Sequence, residues 1–299
     1  MSSDQQHFGL FGQFLHSRYA PVLTHCSLLL LSIAIWALLW FVPFWIMFVP
    51  GVLIVHRIGI LLHEYLHGIP FRSYRHNLAV YGFFDGAMLM FGSMELFRGT
   101  HLTHHRWLNA DGDNAARSDG TQRRSGWRNV LQSNEVVQHL IYLLEAFQGR
   151  QQIVRLSRVA SAVALSTICV IGWCWIGRGD IVLKLMAVNF MTVLVPATLR
   201  GAIEHHGPAG DPGFANEYRT WIPLFNLNRH IHHHEDMHCP WYLLKYRTAH
   251  PLAAWRYFTY WYHVYVQRRF VLMRPMTTND LTQSPECLES PKRGLPATE

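Results

Sequence analysis

Between Val22 and Leu62 the chain carries a single formal charge, Arg57. A helix rises about 1.5 Å per residue, so a run of this length overshoots a single crossing of the ~30 Å hydrocarbon core of a bilayer. The run therefore predicts a helical hairpin, with one span over 22–41, a turn at Pro43, and a second span over 44–67. A second apolar pair comes later, Val159–Gly177 and Ile181–Leu199, parted only by Arg178, Gly179 and Asp180. Lys184 lies one turn inside the last span, where its stem can reach back to the interface. The expected fold class is an all-α membrane protein, with about four transmembrane helices arranged as two hairpins, plus interfacial helices and a cytoplasmic histidine-rich cap.

Composition and charge agree with this class. Charged residues make up 15% of the 299 positions, well below the usual quarter of a soluble domain. The net charge of +7 is spread between the apolar runs and forms no continuous patch, which excludes a nucleic-acid-binding module. Between the two hairpins lie Arg72, Arg75, Arg98, Arg106, Arg117, Arg123, Arg124, Arg128 and Arg150, whereas both short turns on the other side are nearly uncharged. The positive-inside rule then places the N-terminus, the middle segment and the C-terminus in the cytoplasm. The five cysteines are scattered and form neither a disulfide framework nor a C-x-x-C metal pair.

Leu78–Leu96 is apolar but broken by Asp85, Glu95 and glycines, and reads as one re-entrant or interfacial helix rather than a fifth span. The aromatic run Trp255–Val266 reads as a surface-lying helix. One membrane domain over 1–275 is expected, then a disordered polar tail over 276–299.

Twenty histidines are present, and their spacing matters more than their number. His63 and His67 are four apart; His101, His104 and His105 form H-x-x-H-H, as do His230, His233 and His234. Offsets of three and four place imidazoles on one face of a helix. All three groups fall at cytoplasmic span ends or in cytoplasmic segments, so one site at the membrane face can collect them. Imidazole suits iron, zinc, copper or nickel, and eight ligands are too many for one ion, so two ions are implied.

These groups resemble the three histidine boxes of the membrane fatty acid desaturase superfamily, which also contains hydroxylases and carotenoid ketolases. The resemblance runs over roughly residues 55–245. It extends to Arg200, Glu204 and His205, similar to the family's Arg…Glu-His segment before the third box, and to Arg219 and Thr220. It implies a metal-binding set of His63, His67, His101, His104, His105, His205, His230, His233 and His234, with Asn109, Asp111, Asp113 and Glu204 as partners behind the ligands. His206, His232 and His238 fall outside the box pattern, and the third box carries His232 where the commonest desaturase pattern has a glutamate.

The implied cofactors are two Fe ions with O2 as co-substrate. The implied reaction is oxidation of an aliphatic C–H bond in a lipid-like substrate, fatty-acyl desaturation first and hydroxylation or ketolation as the alternative. The sequence has no fused cytochrome b5 haem motif and no iron–sulfur cysteine pattern, so a separate ferredoxin or cytochrome b5-type donor is expected. His63-Glu64-Tyr65-Leu66-His67 also matches the H-E-x-x-H motif of zinc metalloproteases, a reading that leaves two further histidine groups unexplained. A metal transporter would hold its ionisable ligands within the spans, and here they gather at or beyond the span ends.

Overall fold

The structure, a computed structural model, describes residues 21–107, 135–148, 154–204, 215–220, 224–247 and 251–262. Helix α1 (Pro21–Phe41) runs to a break at Val42–Pro43, and α2 (Phe44–Leu66) leaves it in the opposite sense. Pro43 caps α2, a position where the missing N–H costs nothing because the first helical donors have no partner within the helix. Together with Leu156–Trp175 and the stretch Gly179–Gly201, these are the four helices long and apolar enough to cross a membrane among the described residues. In α1 one stripe is buried (Thr24, Leu28, Ser32, Ile35 and Leu39), while Leu29, Leu30, Ile33 and Phe41 are exposed. A helix that is apolar all round belongs in lipid, which covers the outer face as protein covers the inner one.

The core joins the two hairpins. Leu28, Ile35 and Leu39 of α1 and Met47, Val55, Ile58 and Leu62 of α2 pack with Ile181, Leu185 and Val188 of α7 (Gly179–Thr192). Gly51 allows the close approach of α2 and α7: a Cβ there would lie 2.8 Å from Met47 Cε and 3.3 Å from a Val188 methyl. At the far end, Lys184 Nζ reaches Asp180 (2.9 Å) and the Leu39 carbonyl (3.3 Å), and the Arg178 guanidinium sits 4.1 Å over the Trp40 ring.

Leu78–Leu96 departs from the expected single helix. It is split into α3 (Tyr74–Ala87) and α4 (Ser93–Trp107) by a tight turn in which Leu89, Phe91 and Gly92 have φ of 55°, 51° and 87°. The cause is Asp85, whose buried carboxylate accepts the N–H groups of Gly92 (2.9 Å) and Glu95 (3.3 Å) and so begins a new helix. Glu95 holds Arg98 at 2.5 Å and accepts the N–H of Arg155, tying α4 to the start of α6 (Leu156–Trp175). The two acids that interrupt the apolar run are thus the anchors that set where α4 points. α3 lies along α6, with Ser166 Oγ donating to the Gly86 carbonyl (3.0 Å). Between them in sequence, α5 (Glu135–Phe147) packs on α4.

After α7 the helix passes through a π turn, Val193–Ala197, which contains Pro196, and continues as α8 (Thr198–Glu204). A π turn inserts one extra residue and rotates the helix beyond it, and with it Arg200 and Glu204. The cap is built from β1 (Tyr218–Arg219) in parallel register with β2 (Leu252–Ala253), a short α9 (His230–Glu235), and α10 (Ala254–Trp261). Tyr218, Leu224, Leu227, Leu244 and Tyr257 form its core, packed on Ile60 of α2. The expected helix over Trp255–Val266 is present as α10, with Trp255 63% exposed and Tyr257 buried; its last residues and the expected tail lie outside the described residues.

Candidate metal centre

The last turn of α2 presents His63 and its cap residue His67 on one face, and α4 brings His101 and His105 against them. His63 Nε2 lies 2.7 Å from His101 Nε2, and His67 Nε2 lies 3.1 Å from both. His105 Nε2 is 2.9 Å from His101 Nε2 and 3.0 Å from His233 Nε2, which α9 supplies. These five imidazoles, His63, His67, His101, His105 and His233, place one nitrogen each within 4.8 Å of all the others.

The remaining described box histidines gather beside this group. His234 Nε2 is 3.0 Å from His230 Nε2, and the His104 and His234 rings are 5.1 Å apart. Glu204 closes this side: Oε2 lies 3.6 Å from His230 Nε2, while Oε1 accepts Arg200 Nε (2.6 Å) and the Tyr218 hydroxyl (3.0 Å). The carboxylate is buried, and burial pushes its pKa up while Arg200 and Tyr218 pull it down.

Whether a cation fits can be decided from the nitrogens themselves. An imidazole nitrogen carries either a proton or a lone pair, so in the triangle of His63, His67 and His101 the three contacts cannot all be N–H···N bonds; one pair must set like against like. A cation at the centre removes the conflict by accepting every lone pair. Burial and the neighbouring histidines depress the pKa of His101, His233 and His234 well below the ordinary value, so these imidazoles are neutral and have lone pairs to give. The donor set therefore suits a transition metal.

Several expected site residues, His205, Asn109, Asp111 and Asp113, lie outside the described residues, as does His206. The other acids beside the boxes turn elsewhere: Glu64 Oε1 accepts the Trp241 N–H (3.1 Å), Glu235 pairs with Arg247 (2.7 Å), and Asp236 accepts the His238 N–H (3.1 Å). His232 is buried outside the converging group, with Nδ1 accepting the Lys245 N–H at 2.8 Å. His238 is exposed, with Nδ1 3.1 Å from the His67 carbonyl. Sequence reasoning missed Tyr218, whose role depends on a fourteen-residue separation from Glu204 that no motif marks.

The family model described as fatty acid desaturase matches residues 34–266, a stretch that contains all three boxes and most of both hairpins. No curated protein and no solved structure gives a match. Membrane-length helices, histidines gathered from three boxes and a match across most of the sequence lead to one assignment: the chain belongs to the fatty acid desaturase family, a family of membrane oxidoreductases.

Proposed function

We propose that the chain is a di-iron, O2-dependent oxidase that desaturates an acyl chain held in the membrane. The observation that carries this reading is the convergence of five imidazole nitrogens within 4.8 Å, beside a second set, on a frame of apolar helices. His63, His67, His101, His104, His105, His205, His230, His233 and His234 would hold the two ions, with Asn109, Asp111 and Asp113 behind them. Two irons bound there supply the power to reduce O2 and remove hydrogen from an aliphatic carbon, which no side chain has.

The protein's part is ligation, orientation and dryness. Burial of His63, His101, His104, His230 and His233 excludes water from around the ligands. His63 and His67, at the end of an apolar helix of membrane length, would hold the reacting centre where an acyl chain can stay in hydrocarbon, which favours a lipid over a soluble substrate. Four spans with both termini cytoplasmic would set the site at the cytoplasmic face, open to a separate ferredoxin or cytochrome b5-type donor. The zinc-protease reading gains nothing, because Glu64 lies outside the converging group and the motif accounts for only two of its five histidines.

Mass spectrometry of lipids from cells expressing the chain, against cells expressing His104→Ala, tests the proposal. Acyl chains lighter by two hydrogens, present only with the wild type, are expected. A hydroxylated or keto product in their place would overturn desaturation while keeping the oxidase, and lipids from folded, iron-loaded wild type identical to those from the variant would overturn both.

A further inference from the structure

One buried imidazole of the spans takes no part in the metal centre. His56 lies on α2 seven residues before His63, which puts the two on one helical face, about 10 Å apart along the axis. It is 7% exposed, and its Nε2 has no hydrogen-bond partner among the described residues. An unmet buried nitrogen is costly, and an ionisable group turned inward within a span ordinarily marks a place where something binds or passes.

The surroundings narrow what that partner is. Contacts advance together along α2 and α7, Gly51 beside Val188 and then the Val52 carbonyl 3.4 Å from Thr192 Oγ1, so the two helices run in one direction. One turn further along each stand His56 and Pro196, the latter inside the π turn that packs on α2. π turns within helices are frequent at functional sites. The charges of Arg200 and Arg57 both reach His56, while Arg200 Nε donates to Glu204 (2.6 Å) and the Arg57 guanidinium to the Leu53 carbonyl (2.7 Å). Two cations in the surroundings favour an electron-rich partner, an acceptor oxygen facing an imidazole N–H, over a second donor.

The geometry points to His56 as the anchor for an acceptor oxygen carried by the lipid substrate, a carbonyl placed about 10 Å from the carbon that meets the metal centre. The inference rests on the lipid-substrate reading above and deepens it. Apolar packing alone gives an alkyl chain little register, because each methylene resembles the next. A hydrogen bond from a fixed point on the helix that carries His63 and His67 selects which carbon stands at the metals, and an analogue lacking the oxygen leaves a buried nitrogen unpaired.

Equilibrium binding of radiolabelled methyl stearate and octadecane to the detergent-purified, iron-loaded protein, without reductant so that nothing is oxidised, tests this. The preference for the ester over the alkane is compared between wild type and variants, which cancels the partitioning of each probe into detergent. Wild type should exceed His56→Leu in that preference by about 2–10-fold, the worth of one hydrogen bond. His56→Gln, which can still donate, should recover part of it. His56→Met replaces the leucine variant if that one fails to accumulate. An equal preference in wild type and in the apolar variant would overturn the anchor, since the oxygen is then held elsewhere or nowhere. Wild type that binds neither probe would instead overturn the lipid-substrate reading and the anchor with it, so the two failures are distinguishable.

Discussion

His232 and His233 are neighbours in the chain with different surroundings. His233 points among the converging nitrogens, whereas His232 Nδ1 receives the Lys245 N–H outside them. His233→Ala should therefore lose bound iron and all product. His232→Ala should keep near-normal iron and cost only about 0.5–1.5 kcal/mol of stability, because Lys245 is exposed and water can replace the lost acceptor. Metal analysis and thermal unfolding of the two variants check this, and equal iron loss in both would contradict it. Acid acts on the same residues in a definite direction. His101, His233 and His234 have pKa values well below the ordinary 6.5 in the fold, so the unfolded chain binds more protons as pH falls below that value. The stability they contribute is fully present above pH 6.5 and is lost on acidification. Metal-free protein should unfold at lower temperature at pH 5 than at pH 7, and a His101→Gln/His233→Gln pair should shrink that difference; an unchanged difference would contradict the assignment. The spacing of the boxes made these ligand candidates legible from sequence. Tyr218 was not, because its partners Glu204 and Asn228 come from other elements and share no period with it.

At the scale of elements, the spans were legible because long apolar runs have few alternatives to a helix in lipid. The α3–α4 turn was not, because two non-glycine residues, Leu89 and Phe91, adopt positive φ there. Local propensity argues against such a turn, and only tertiary contacts impose it: Asp85 on the N–H groups of Gly92 and Glu95, and Asn189 on the Met88 carbonyl at 2.6 Å. Asp85→Ala leaves two buried donors unmet and should cost about 1–3 kcal/mol for each. Because α4 carries the second box, iron content should fall with it. Thermal unfolding and metal analysis of the variant test the link, and full iron with an unshifted transition would break it. Gly86 offers a second probe, since a Cβ there would lie 2.6 Å from Leu165. Gly86→Val should separate α3 from α6 and destabilise by about 1–3 kcal/mol, read as a lowered unfolding temperature.

For the whole molecule, a shared metal centre requires the histidines of all three boxes on one side of the membrane. With an even number of spans, the excess of arginine between the hairpins would, on the proposed topology, put that side in the cytoplasm and Arg178 opposite. In a background without the five native cysteines, a cysteine at position 178 should label from outside intact cells and one at 123 should not. The reverse pattern would put the middle segment on the wrong side for the proposed donor. Elemental analysis of the purified wild-type chain probes the metal centre itself. About two irons per chain and little zinc are expected. One zinc per chain without iron, with activity abolished by Glu64→Gln, would contradict the di-iron oxidase.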